Sequence, residues 1–136
     1  MKTRVLHFQD LRVWQAARLF ISEIYVATRR FPDHELYGMT SQIRRAAVSI
    51  ATNIAEGSKR ATTKDLCHFL NMAETSLEEV KNLLIIGSDL NYVVDRELSS
   101  LLTKADVIGA MLNTLKKSLQ IRLITLPRTT PSKKMP

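Results

Sequence analysis

The chain has 136 residues and a formal net charge of +7; 45% of its residues are hydrophobic, 24% are charged, and only four are glycine and four proline. That length suits one domain with a full core, and so few breakers and aromatics favour long helices over a sheet. No apolar run approaches a membrane span, the N-terminus lacks the apolar stretch of a signal peptide, and the single cysteine, Cys67, forms no intramolecular disulfide and suits a reducing, cytoplasmic setting.

The first predicted helix runs from about Leu11 to Arg30, with Asp10 as its expected N-cap. Trp14, Ala17, Ile21, Ile24, Tyr25 and Thr28 recur at the spacing of one helix face, and Phe31-Pro32-Asp33 ends the run, because proline disfavours helix in the residue before it. The second helix spans about Met39 to Glu56. Gly57 is expected to close it in the left-handed conformation. The third begins near Thr62, where Thr62-x-x-Asp65 is a capping-box variant, and continues through Leu66, Phe69, Leu70, Ala73, Leu77, Val80, Leu84 and Gly87 to about Asn91. The fourth is expected to start at Asp95, with Leu98, Leu102, Ala105, Ile108, Leu112, Leu115 and Leu119 as its stripe. Four amphipathic helices with short links imply an all-α, antiparallel up-down four-helix bundle over residues 1–126. Residues 127–136 (Pro-Arg-Thr-Thr-Pro-Ser-Lys-Lys-Met-Pro) have almost nothing to bury and read as a disordered basic tail.

The second helix is unusually apolar. Gln42, Arg45, Ser49, Thr52, Asn53 and Glu56 share one polar arc, whereas Ile43, Ala46, Ala47, Ile50 and Ile54 form a core face. Val48, Ala51 and Ala55 extend that face to an arc of roughly 200°. A helix covered on two sides accounts for this, so Val48, Ala51 and Ala55 are the expected oligomer interface. Glu56 faces the negative end of the helix dipole. Asn53, Glu56 and Gly57 are therefore expected to form a structural hinge that ties down the loop Gly57-Ser58-Lys59-Arg60.

Several stretches resemble one known family. They are Phe8-x-x-Leu11-x-Val13-Trp14-Gln15-x-Ala17, then Phe31-Pro32-x-x-Glu35-x-Tyr37-Gly38, and the continuous run from Gln42 through Ile50 to Asn53-Ile54-Ala55-Glu56-Gly57. Together they resemble the four-helix-bundle family named for the 23S rRNA intervening-sequence proteins, over roughly Phe8 to Leu119. The resemblance implies an up-down bundle and, in related proteins, a ring-like homopentamer. It also implies kinship with accessory factors of diversity-generating retroelements, which are thought to bind nucleic acid and a reverse transcriptase. The family name records a genomic location more than an activity.

Enzymatic and metal motifs are missing. A di-metal bundle needs two Glu-x-x-His motifs, and the chain offers one Asp65-x-x-His68. Cys67 and His68 are helix neighbours pointing about 100° apart, which is no dyad. Gly57-Ser58-Lys59 lacks the upstream glycine of a phosphate-binding loop. Glu74 and Glu78 read as a solvated face with Lys81. No catalytic residue, metal or cofactor is expected. Basic groups remain: Arg44 and Arg45 early in the second helix, Lys59, Arg60 and Lys64 around the turn into the third, and Lys116, Lys117 and Arg122 late in the fourth. Arg44, Arg45, Lys59, Arg60 and Lys64 are the candidate nucleic-acid contacts, but sequence alone does not join them into one patch. With little aromatic interleaving, binding to RNA or DNA would be backbone-directed and salt-dependent, and a ring would multiply it by avidity. The sequence therefore reads as a homo-oligomeric, non-enzymatic, RNA-directed scaffold. The alternative is a protein–protein adaptor that holds a protein partner and makes no nucleic-acid contact.

Overall fold

The computed structural model describes residues 7–125, with side chains described through Gln120. The tail expected over residues 127–136 lies outside them. Four helices make up the fold: α1 (Arg12–Thr28), α2 (Ser41–Gly57), α3 (Thr63–Asp89) and α4 (Asp95–Thr125), with no strand among the described residues. The α2–α3 seam is the most extensive. Lesser seams join α1 to α2, α3 to α4 and α4 back to α1. Each helix thus packs beside its chain neighbours, which is the expected up-down bundle. Two ends follow from that order. The kink end gathers the close of α1, the start of α2, the close of α3 and the start of α4. The loop end gathers the start of α1, the close of α2, the start of α3 and the close of α4.

The 3.6-residue period explains the core. Val13, Ala17, Phe20, Ile24 and Ala27 of α1 meet Ile43, Ala47, Ile50 and Ile54 of α2, and α3 and α4 add Leu70, Ala73, Leu77, Leu84, Ala105, Ile108 and Leu112. The face of α1 is rotated from the one expected. Tyr25 is exposed and Trp14 only half-buried, whereas Val13, Phe20 and Ala27 are buried. Asp10 is not the cap of α1. It closes a short 3-10 turn, Phe8–Asp10, and Leu11 takes the N-cap position without a side-chain hydrogen bond. That turn lays Phe8 edge-on to Trp14, 5.0 Å between ring centres.

Between α1 and α2 the chain makes a 3-10 turn, Asp33–Glu35, and then a widened turn, Leu36–Thr40, in which Gly38 leaves helical geometry. Sequence reading missed this kink. Glu35 fastens it: its carboxylate accepts from the Met39 N–H (3.1 Å) and from the Tyr92 hydroxyl of the α3–α4 link (3.0 Å). These donors hold the Glu35 carboxyl below the usual carboxylate range, the Met39 amide most of all.

Thr62 caps α3 as expected, its hydroxyl accepting from the Asp65 N–H at 3.1 Å. The far end of α3 closes as a Schellman motif. Tyr92 N–H donates to Gly87 C=O (2.8 Å), Asn91 N–H donates to Ser88 C=O (2.9 Å), and Asn91 sits at φ 67°. The left-handed closure expected at Gly57 is therefore found at Asn91. Gly57 is the last residue of α2, and no glycine among the described residues has positive φ. Its role is spatial: a Cβ there would lie 2.8 Å from Phe69 Cβ and 3.1 Å from Leu66 Cδ1. The missing side chain lets α2 and α3 converge at the loop end.

Candidate functional site

The second helix hides more of its apolar arc within one chain than expected. Ala51 is buried, Ala55 is half-buried, and only Val48 of the expected interface trio stands exposed. Ala51 belongs to the chain's own core, so single-chain packing uses part of the expected interface. The hinge differs too. Asn53 is buried and donates back along its own helix, to Ser49 C=O (2.9 Å) and Ser49 Oγ (3.0 Å). Ser49 Oγ in turn lies 2.9 Å from Ser76 Oγ of α3. Asn53 is thus part of a polar bridge between α2 and α3 and does not reach the loop. Glu56 is exposed, with no side-chain ion pair among the described residues. The loop is held instead by Ser58, whose hydroxyl donates to Ala55 C=O at 2.7 Å, and by the Arg60 guanidinium stacked 4.4 Å from the Phe69 ring centre.

The basic candidates separate into two groups. Arg44 and Arg45 begin α2 at the kink end, whereas Lys59, Arg60 and Lys64 lie at the loop end, roughly 20 Å away at 1.5 Å per helical residue. Arg44 is already engaged. It donates to Thr28 Oγ1 (2.8 Å) and lies over the Tyr25 ring, 4.6 Å from its centre. Arg45 is exposed in the groove beside it. Lys59, Arg60 and Lys64 are exposed on the α2–α3 turn and are paired with no carboxylate among the described residues.

The up-down order answers the question left open by the sequence, because the close of α2, the start of α3 and the close of α4 share one end. Arg12 of α1 and Lys117 of α4 therefore lie in the same half of the bundle as the Lys59 group, both exposed and without a carboxylate partner among the described residues. Sequence reading passed over Arg12, and left Lys117 out of the candidate contacts. The signal that would have placed both is the even helix count, which returns the end of the chain to the level where it began. Lys116 is different: it is held between Asn71 Oδ1 and Glu74 Oε1, each at 2.8 Å.

Charge is consequently segregated along the bundle. Among the residues with described side chains, the loop half carries Arg12, Arg18, Lys59, Arg60, Lys64, Lys116 and Lys117 against Asp10, Glu56, Asp65 and Glu74. The kink half carries seven arginines and lysines against nine carboxylates, and most of its lysine and arginine pairing is internal. Arg30 pairs with Glu97, Lys104 with Glu23, and Lys81 with Asp106 and Glu78. Asp106 is the main reason Lys81 holds its proton more firmly than usual, and Glu97 does the same for Arg30. Exposed cations without a carboxylate partner among the described residues are thus more numerous in the loop half, although Arg29, Arg45 and Arg96 of the kink half are also unpaired.

No group of three or more His, Cys, Asp or Glu side chains converges among the described residues. His68 is exposed and Cys67 half-buried. None of the described helices is long and apolar enough to cross a membrane. The family model described as 23S rRNA-intervening sequence protein matches residues 9–114. No curated protein matches the chain.

Proposed function

The chain belongs to the 23S rRNA-intervening sequence protein family, and from that premise we propose that it is a cytoplasmic, non-enzymatic, homo-oligomeric scaffold that grips nucleic acid, RNA above all, by its loop end. One observation carries the reading: Arg12, Lys59, Arg60, Lys64 and Lys117, exposed and without a carboxylate partner among the described residues, share one half of a bundle whose other half is net acidic. A polyanion is drawn to such an end and kept from the other. Arg44 and Arg45, at the opposite end, play no part in this contact. The loop end offers guanidinium and ammonium groups with little exposed aromatic surface, so the chain recognises phosphates and shape and reads little sequence. The number of copies, five in the related proteins that the sequence resembles, multiplies a modest site by avidity.

The test is an anisotropy titration of structured RNA and of duplex DNA at several salt concentrations. Binding that weakens with a log–log slope of about −4, the release expected for four to five neutralised phosphates, supports the reading. A flat titration at low salt overturns it.

A further inference from the structure

Exposed apolar surface is segregated as charge is, but toward the opposite end. Of the twelve large hydrophobic side chains exposed among the described residues, ten belong to the kink half: Leu19 and Met72 are the exceptions. Such a concentration on a small bundle marks an interaction surface. Within it lies an open groove of about 690 Å³ between α1, the kink and α2, lined among others by Tyr25, Leu36, Tyr37, Arg44, Arg45 and Val48. Tyr37 is 94% exposed on the kink, an aromatic left almost uncovered by the described residues. Exposed tyrosine beside arginine is the composition of an interface core. Arg45 has no carboxylate partner among the described residues.

The complementary surface lies on α3. Ile85, Ile86 and Asp89 are all exposed, and their three- and four-residue spacing puts them on one outward face near the end of the helix. Asp89 has no cation partner among the described residues. The groove is apolar with a free cation, and the α3 face is apolar with a free anion. Both lie in the kink half, on different helices. We infer that the groove receives α3 of a second copy, with Ile85 and Ile86 packing beside Tyr37 and Val48 and Asp89 meeting Arg45. The joint unites two different surfaces, so it is heterologous and propagates around a ring or along a filament. It leaves the loop ends, which repel one another, outside the contact. The inference rests on the homo-oligomeric part of the proposed function and names its joint; it does not depend on nucleic acid.

Sedimentation velocity of the full chain without nucleic acid tests it. The native chain sediments as an oligomer. Tyr37→Glu and Ile85→Glu each sediment as single copies with unchanged far-ultraviolet circular dichroism, their self-association weakened at least about 30-fold, the loss of one interface anchor. An equimolar mixture of the two restores a two-copy species, because one variant keeps its groove and the other its α3 face. As a check that does not touch the apolar residues, Arg45→Glu and Asp89→Arg each disrupt assembly and together restore it. A native chain that sediments as a single copy overturns both the joint and the homo-oligomer. A native oligomer that persists in Ile85→Glu overturns the joint alone.

Discussion

Replacing Gly57 with alanine tests how closely α2 and α3 converge beneath the basic turn. The added methyl would sit 2.8 Å from Phe69 Cβ and 3.1 Å from Leu66 Cδ1, where ordinary contact begins near 3.4 Å. Phe69 Cβ is fixed to the backbone of α3, so no flexible side-chain tip can swing away. The helix ends must part by several tenths of an ångström. Overpacking of this kind costs about 1–3 kcal/mol, and the better helix propensity of alanine returns up to about 1 kcal/mol. The net expectation is a loss of about 1–2 kcal/mol, or roughly 4–8 °C in Tm for a domain of this size. Gly109→Ala is the control. Its Cβ meets only Leu77 Cδ2, at 3.5 Å, so the propensity gain stands and stability rises by about 0.5–1 kcal/mol. Urea unfolding of both variants gives the comparison. A Gly57→Ala variant as stable as the native chain would refute the close-approach argument.

Two further outcomes follow from the kink end. Asn91 occupies the left-handed position of the Schellman motif, so Asn91→Gly is neutral or stabilising, while Asn91→Val loses about 1–2 kcal/mol by thermal unfolding. Glu35 is held below the usual carboxylate range by the Met39 amide first and the Tyr92 hydroxyl second. A depressed folded pKa contributes stability above the unfolded value and loses it as pH falls through the folded value. Glu35→Gln is therefore less stable than the native chain at neutral pH, and the gap closes as pH is taken through and below the carboxylate range. A gap that is constant with pH contradicts the latch.

Much of the architecture was legible because core periodicity is strong. The stripes of α3 and α4, with Leu70, Ala73, Leu77, Leu84, Ala105, Ile108 and Leu112, lie buried as their spacing predicts. The Thr62 cap was legible because its partner sits three residues away. What escaped depends on distant groups. The kink at Leu36–Thr40 is fixed by Glu35 reaching Tyr92 across 57 residues. Gly57 is required by Phe69 on the facing helix and not by its own backbone angle, and Asn91 takes the left-handed turn usually given to glycine. Ala51 looked like surface to spare, because a helical wheel does not show how closely the facing helix approaches. The basic candidates were all visible. Sorting them into Arg44 and Arg45 at one end and Lys59, Arg60 and Lys64 at the other needed the topology.

The central claim is that the loop end, rather than net charge alone, holds the polyanion. Paired charge reversals decide it, because Lys59→Glu/Lys64→Glu and Arg29→Glu/Arg96→Glu change the net charge equally at opposite ends, all four positions being exposed and unpaired among the described residues. The measurement is the salt dependence of RNA binding by each variant. The account predicts a slope smaller by about 2 for the loop-end pair, one for each lost phosphate contact, and an unchanged slope for the kink-end pair. Equal effects from the two pairs would contradict it.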